Sequence, residues 1–361
     1  MSQQPHHDAP SVQDDRTIWF TRCPVPTATG LAWRLGWLER EFAPDGVRVA
    51  PLPAKLSRHH YEHGIKSLIR EGGALLALAA RAQGARTRLI GLTWIDEWQV
   101  ILARPDSGIE RPADLKGKRL ALPAFVQHTI AAHARGSSIA RGMSLQGYKG
   151  ALASAGLTLD DARFVEVASG SGRGGRGSDK LWQGVAALRA GEVDAVYVKG
   201  ARAVAAARAA GAVVAIDLDA LPRHFRVNNG TPRPITVHED LLTRHFDRLV
   251  RFLAQTLKAA DWAAGHRAEV YAILEDETGA DSDGVITAYR HDFQHAFRPD
   301  LSRERRELLA IQKNFMLLHG FLDRDFSLDD WIDERPLAAA RALLTQRGDP
   351  GSPDDEWRAA A

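Results

Sequence analysis

The alternation of strand-like and helix-like segments in this chain runs once to about residue 103, then starts afresh at RPADLKGKRLALP, residues 111–123. In the first round an apolar strand, Thr17 to Phe20, enters the turn TRCPVPTATG, where two prolines disfavour a regular element. Leu31, Leu35 and Leu38 predict a helix, and VRVAPL a strand after Gly46. Ile65, Leu68 and Ile69 stand at helical spacing before Gly72-Gly73, and GALLALAARAQGA predicts a second, alanine-rich helix. TRLIGLTWI and WQVILARP read as strands. The second round offers RLALP and ARFVEVA as strands, with helices from Thr129 and in LQGYKGALASAG. A glycine-rich loop at 169–179 follows, then two helix–glycine turn–strand units, LWQGVAALRAGEVDAVYV and ARAVAAARAAGAVVAIDL.

Such alternation predicts an α/β protein, and two rounds of it predict two lobes with ligand space between them. From RPITVHED onward the chain is mainly helical, fitting a tail that crosses back to brace the first lobe. The expected organisation is a disordered tail at 1–16, a discontinuous first lobe at 17–101 plus 231–361 with the C-terminal helices, and a second lobe at 102–230.

Composition excludes several classes. With 361 residues, 45% apolar and 25% charged, the chain has material for two cores and none of the bias of a disordered protein. A formal charge of +2 from 47 basic and 45 acidic residues gives no global attraction to nucleic acid. No run of 18 apolar residues predicts a membrane helix. One cysteine excludes an intrachain disulfide and a multi-cysteine metal site. The start, MSQQPHHDAPSVQDDRT, has no basic-then-apolar export pattern, so the expectation is a cytoplasmic protein.

Three groups of residues carry candidate chemistry. Cys23 lies in the proline-restrained turn between strand and helix, where a fixed thiol can be activated; a small buried hydrophobe is the plainer reading. Among Arg58, His59, His60 and His63, the pair His59/His63 has metal-like spacing but no HExxH or matching acidic partner. His60, near the start of a helix, suits acid–base or orienting work, or simply an interface. Arg70-Glu71-Gly72-Gly73 combines a fork of donors with glycines that let a ligand approach backbone N–H groups, or is a charged turn. Trp33, Trp94 and Trp98 are candidate cleft walls; Arg22 and His128 are weaker candidates for contact with an anion, and Arg223, His224, Arg226 and Asn229 stand near a lobe crossing without an assigned role.

Taken together, Cys23-Pro24-Val25-Pro26, His60 ten residues before Arg70, and Gly72-Gly73 after it resemble the 2'-hydroxybiphenyl-2-sulfinate desulfinase family. ADLKGKRLAL and ALRAGEVDAVYV also resemble the wider sulfonate, nitrate and thiamine-precursor solute-binding group. The resemblance implies a type II periplasmic-binding-protein-like fold, two α/β lobes with a cleft and a helical C-terminal extension. It implies a carbon–sulfur hydrolase that releases sulfite from an aromatic or other organic sulfinate. Cys23, His60 and Arg70 would be catalytic, with Gly72 and Gly73 at the sulfinate oxygens and no metal or organic cofactor. Thr21-Arg22 and the segment from Tyr61 to Ile69 depart from the family pattern, which leaves the organic group open. The alternatives are a non-catalytic binder of a sulfonate or similar anion, served by a transporter, and a thiamine-pyrimidine-related enzyme.

Overall fold

The computed structural model describes residues 16–21, 25, 27–125, 136–168 and 183–348. Ten strands form two five-stranded sheets of one shared design. The first comprises β1 (Thr17–Phe20), β2 (Arg48–Pro51), β3 (Leu68–Glu71), β4 (Thr87–Thr93) and the late strand β10 (Arg233–His238), in the order β2-β1-β3-β10-β4. The second comprises β5 (Gln99–Ala103), β6 (Arg119–Pro123), β7 (Arg163–Val167), β8 (Ala195–Lys199) and β9 (Val213–Asp217), in the order β7-β6-β8-β5-β9. In each sheet three parallel strands are followed by one antiparallel strand that has just arrived from the other lobe. Thus β5 enters the second sheet and β10 returns to the first. Since all of β5 belongs to the second sheet, the outward crossing precedes Gln99, a few residues before the expected 101/102 boundary.

Helices connect and cover the strands: α1 (Ala28–Arg34), α2 (Trp37–Phe42), α3 (Arg58–Glu62), α4 (Ala74–Ala82), α5 (Ile139–Ser154), α6 (Gln183–Arg189) and α7 (Ala201–Ala209). After β10 come α8 (Glu239–Arg244), α9 (Phe246–Gly265), α10 (Arg267–Thr278), α11 (Ser282–Ala288), α12 (Arg303–Leu318), α13 (Leu328–Trp331) and α14 (Arg335–Gln346). The twenty-residue α9 packs on α1, α2 and α14, burying Leu249, Phe252, Leu253 and Leu257 against the first lobe. Arg251 of α9 and Arg347 after α14 both hold the carboxylate of Glu41 in α2. Beyond bracing lobe 1, this tail reaches lobe 2 through α11 on α7. It also covers the open edge of β4 through the bridges Leu89–Ile332 and Leu92–Asp300, which removes an exposed sheet edge.

Alternation along β5 shows how the layers are filled. Val100 and Leu102 face the large core shared with lobe 1, while Ile101 and Ala103 face a separate core with Leu120, Tyr148 and Leu152.

Two local predictions needed correction. The single helix over Leu31–Leu38 is two helices, because Gly36 adopts φ +71 and starts α2 anew. The Ile65/Leu68/Ile69 spacing is no helix: residues 68–71 form β3, buried on both faces and paired on both edges. A short, wholly buried strand carries no alternation to distinguish it from a helix. The predicted helix from Thr129 and the loop at 169–179 lie outside the described residues.

Candidate active site

In an open α/β sheet, ligand space opens where the strand order reverses, beyond the carboxyl ends of the strands. With the order β2-β1-β3, that point is between the ends of β1 and β3. Thr21, just past β1, donates its N–H to Ile69 O (3.2 Å) and its hydroxyl to Glu71 O (2.9 Å). The chain then runs to Thr27, which caps α1 by accepting from Gly30 N–H. Cys23 and Arg22 fall in the interval and, like His128, lie outside the described residues.

Arg70, in β3, is fully buried. Its Nε donates to the His60 carbonyl at 3.2 Å and its Nη2 to the Gly73 carbonyl at 3.0 Å. The guanidinium lies flat on Gly72, where a Cβ would stand 2.7 Å from Cζ. Gly72 is therefore required by close approach. Arg70 thus clamps the main chain of the α3 segment to the start of α4, and two of its donors are already engaged there. Gly73 is the N-cap of α4, whose first N–H groups have no intrahelical acceptor.

The half-buried His60 ring packs edge-on against Tyr61 at 5.7 Å. Burial holds its pKa well below the usual histidine value, and the positive surroundings of Arg70, His63 and Arg233 push the same way. The ring is consequently neutral at neutral pH, able to accept a proton or a hydrogen bond. His59 and His63 do not form a ligand pair. His63 ends α3 in a left-handed conformation (φ 54) and meets Thr236 Oγ1 at 3.2 Å, while the His59 ring lies beside Arg58 and Gly64. Among the described residues no group of His, Cys, Asp or Glu converges as a metal site.

A second layer of ionisable groups lies behind Arg70. Glu71 is 1% exposed and accepts from Thr93 Oγ1 at 3.0 Å. Burial raises its pKa, against the opposing pull of Arg233 and of hydrogen bonds from Thr29 and Thr93. Arg233, at the start of β10, is 4% exposed, and its Nε and Nη2 have no hydrogen-bond partner among the described residues. Farther across, Glu97 meets Tyr289 OH at 3.1 Å and Lys199 Nζ at 3.8 Å. Burial raises the Glu97 pKa and lowers that of Lys199, each opposed by the other's charge. Both carboxyls are thus biased toward neutrality, and both feel the guanidinium of Arg233.

Sequence reasoning gave Glu97, Lys199 and Arg233 no role. The available signal was an ionisable residue at the end of a strand otherwise apolar, as in AVYVK of β8. Trp94 and Trp98 are only 2% and 4% exposed. Trp94 bonds Asp96 and packs on Val227 and Leu308, and Trp98 belongs to the main core, so both serve the packing of the crossing. Trp33 also packs on that core, 5.8 Å from the Phe20 ring.

No protein-family model matches the chain. Over 347 residues it is 25% identical to 2'-hydroxybiphenyl-2-sulfinate desulfinase of Rhodococcus erythropolis, covering 87% of this chain and 91% of the relative. The chain resembles a sulfinate desulfinase. The crystal structure of the desulfurization enzyme DszB matches with a TM-score of 0.71 at 23% identity, over 91% of this chain and 99% of that one. A cysteine-to-serine variant of DszB in complex with biphenyl-2-sulfinic acid matches at 0.69. The periplasmic aliphatic sulphonate binding protein SsuA from Escherichia coli matches at 0.65 and 17% identity, over 89% of this chain and 93% of that one. The fold is the type II periplasmic-binding-protein-like one expected from the sequence, with two α/β lobes.

Proposed function

We propose that this protein is a cysteine-dependent hydrolase that removes sulfite from an organic sulfinate, acting in a reducing, cytoplasmic setting. The observation that carries the reading is the Arg70 clamp. It ties the His60 segment to Gly73 at the sheet edge from which the Cys23 segment departs. Support comes from the desulfinase relative and from the DszB complex, in which a cysteine is the substituted residue and a sulfinic acid the ligand.

The overall reaction balances as sulfinate plus water giving the hydrocarbon and hydrogen sulfite. In one order of events His60 takes the Cys23 thiol proton, the thiolate attacks sulfur, the carbon–sulfur bond breaks, and the departing carbon takes that proton from His60. Water then releases hydrogen sulfite from the cysteine-bound sulfur. In the other, the thiol first protonates the carbon, the carbon–sulfur bond breaks to leave sulfur dioxide beside the thiolate, and water converts the two to hydrogen sulfite and the thiol. The first order needs a neutral His60 to take the thiol's proton, the second a neutral His60 to accept its hydrogen bond, and both need donors to hold the sulfinate oxygens. Arg70 and the Gly73 N–H supply the latter. The transfer of proton and sulfinyl group is complete within these residues, substrate and water.

The SsuA likeness supports a second reading, a binder of small sulfonates or sulfinates without turnover. One experiment separates the two: sulfite release from aryl and alkyl sulfinates by the parent and by Cys23→Ser. The desulfinase reading expects turnover in the parent and its loss in the variant, with binding retained. Tight binding without turnover in the parent favours the binder, and equal turnover in both removes Cys23 from the mechanism.

A further inference from the structure

We infer that Asn229, on the segment returning from the second lobe, is a substrate-binding residue that donates its side-chain amide to a sulfinate oxygen. The inference rests on the proposed location of the sulfinate at Gly73.

The amide head of Asn229 lies on the Cα of Gly73, within the space a Cβ there would take, so a glycine at this position is what lets the amide in. Asn229 Oδ1 accepts from the Leu75 N–H at 3.1 Å, in the first turn of the nine-residue α4. An amide whose oxygen faces an N–H must turn its NH2 the other way. That NH2 has one hydrogen-bond partner among the described residues, Met143 Sδ at 3.7 Å, and a thioether is a weak acceptor. A hydrogen is therefore left to donate beside the N–H groups of Gly73 and Ala74, which make no hydrogen bond among the described residues. Two helix-start donors with one amide donor alongside suit an oxyanion with two oxygens.

Asn229 is held from the opposite lobe. Its carbonyl accepts from Lys199 Nζ at 3.2 Å, and its N–H donates to Asn228 Oδ1 at 2.7 Å. Asn228 in turn donates to Tyr197 OH at 2.9 Å and to Met143 O at 3.0 Å. The amide thus reaches the first-lobe helix from a second-lobe anchor, so the lobes must be together for it to meet the anion.

The test measures the dissociation constants of benzenesulfinate and of inorganic sulfite by calorimetry, the kcat and KM for sulfite release, and the melting temperature, for the parent, Asn229→Ala and Asn229→Asp. Loss of one hydrogen bond to an anion predicts about tenfold weaker binding of both probes in Asn229→Ala. Asn229→Asp keeps an acceptor for the Leu75 N–H and places a carboxylate at a helix start, so it should melt no lower than the parent. It should nevertheless bind both anions more weakly than Asn229→Ala. A residue that merely capped α4 would give the Ala variant a lower melting temperature with unchanged anion affinity, and anion affinity within twofold of the parent in Asn229→Ala overturns the inference. A parent that binds benzenesulfinate without cleaving it sinks the desulfinase reading but leaves this binding role to be judged by the same dissociation constants.

Discussion

The two sheets repeat one strand order, yet their cleft-facing edges differ in kind. The first gathers Arg70, Glu71 and Arg233 with the His60 ring nearby. The second, among the described residues, has Lys199 and a neutral chain of hydrogen bonds from Gln99 through Tyr197 to Asn228. Equal topology therefore does not mean equal work. The first edge has the charges that an anionic reaction needs, while the second supplies a rigid wall and presents Asn228-Asn229. On this division, substitutions at the first edge should disturb turnover and its pH dependence, and those at the second, Asn229 apart, chiefly stability.

The largest effect is expected at Arg70. Arg70→Ala removes a buried cation and frees the His60 and Gly73 carbonyls, so kcat/KM for sulfite release should fall at least about a hundredfold. Arg70→Lys should not restore it, because one ammonium does not reproduce a fork held by two carbonyls. A Lys variant with parental kcat/KM would break the comparison at its strongest point.

Arg233→Met comes next, read as stability. Glu71 and Glu97 both feel Arg233, and burial already raises both pKa values. Removing the arginine leaves any charge on these buried carboxyls less opposed, which costs stability at a pH where they would ionise. Without Arg233 the folded state holds those protons more tightly still. A carboxyl with a raised folded pKa contributes stability that is full below its unfolded pKa and is lost as pH rises through the folded value. Denaturant unfolding should therefore show Arg233→Met more destabilised at pH 8 than at pH 5. An equal loss at both would mean the carboxyls do not sense the arginine.

His60 gives a smaller effect with the opposite sign. Its pKa is depressed, so its contribution to stability is complete above the usual 6.5 and is lost as pH falls through the lower folded value. By NMR its ring proton should show no titration step near pH 6.5, and the acid limb of kcat/KM should fall below that pH. A step at 6.5 would show a solvated ring, not one held among cations.

Much of this arrangement was readable beforehand, and the failures have physical causes. Repeated strand–helix units announced two lobes because each unit is local in sequence. Gly72 and Gly73 were readable as points of close approach, but for a ligand, whereas Gly72 admits the Arg70 guanidinium and Gly73 the Asn229 amide. Yet the arginine's engagement with two carbonyls depends on how α3 folds back over β3. Glu97, Lys199 and Arg233 escaped notice because they are scattered in sequence and meet only when β8, β10 and the crossing converge. The tryptophans misled for the converse reason. Trp94 and Trp98 flank the crossing, where a wall would be useful, but a hinge between two cores also needs bulk.

The weakest effect on activity is expected at Tyr148, and it tests whether the second lobe is as passive as its edge suggests. Strands β6 and β8 share only the register pair Leu120–Ala195. The Tyr148 hydroxyl fills the gap beyond it, donating to Ala121 O and accepting the Tyr197 N–H, both at 2.9 Å. Tyr148→Phe leaves that N–H without its partner in a buried site, at a cost of about 1–3 kcal/mol. The next residues along the chain of contacts are Tyr197, Asn228 and Asn229. If the second sheet is only a wall, unfolding should register the loss while kcat/KM stays within about twofold, since the Asn228 bond to Tyr197 OH does not involve the Tyr197 N–H. A tenfold rise in KM with unchanged kcat would instead show that strain at β8 reaches the anion through Asn229. The contrast between the lobes would then be one of how each acts on the substrate, by its charged groups in the first and by the placement of Asn229 in the second.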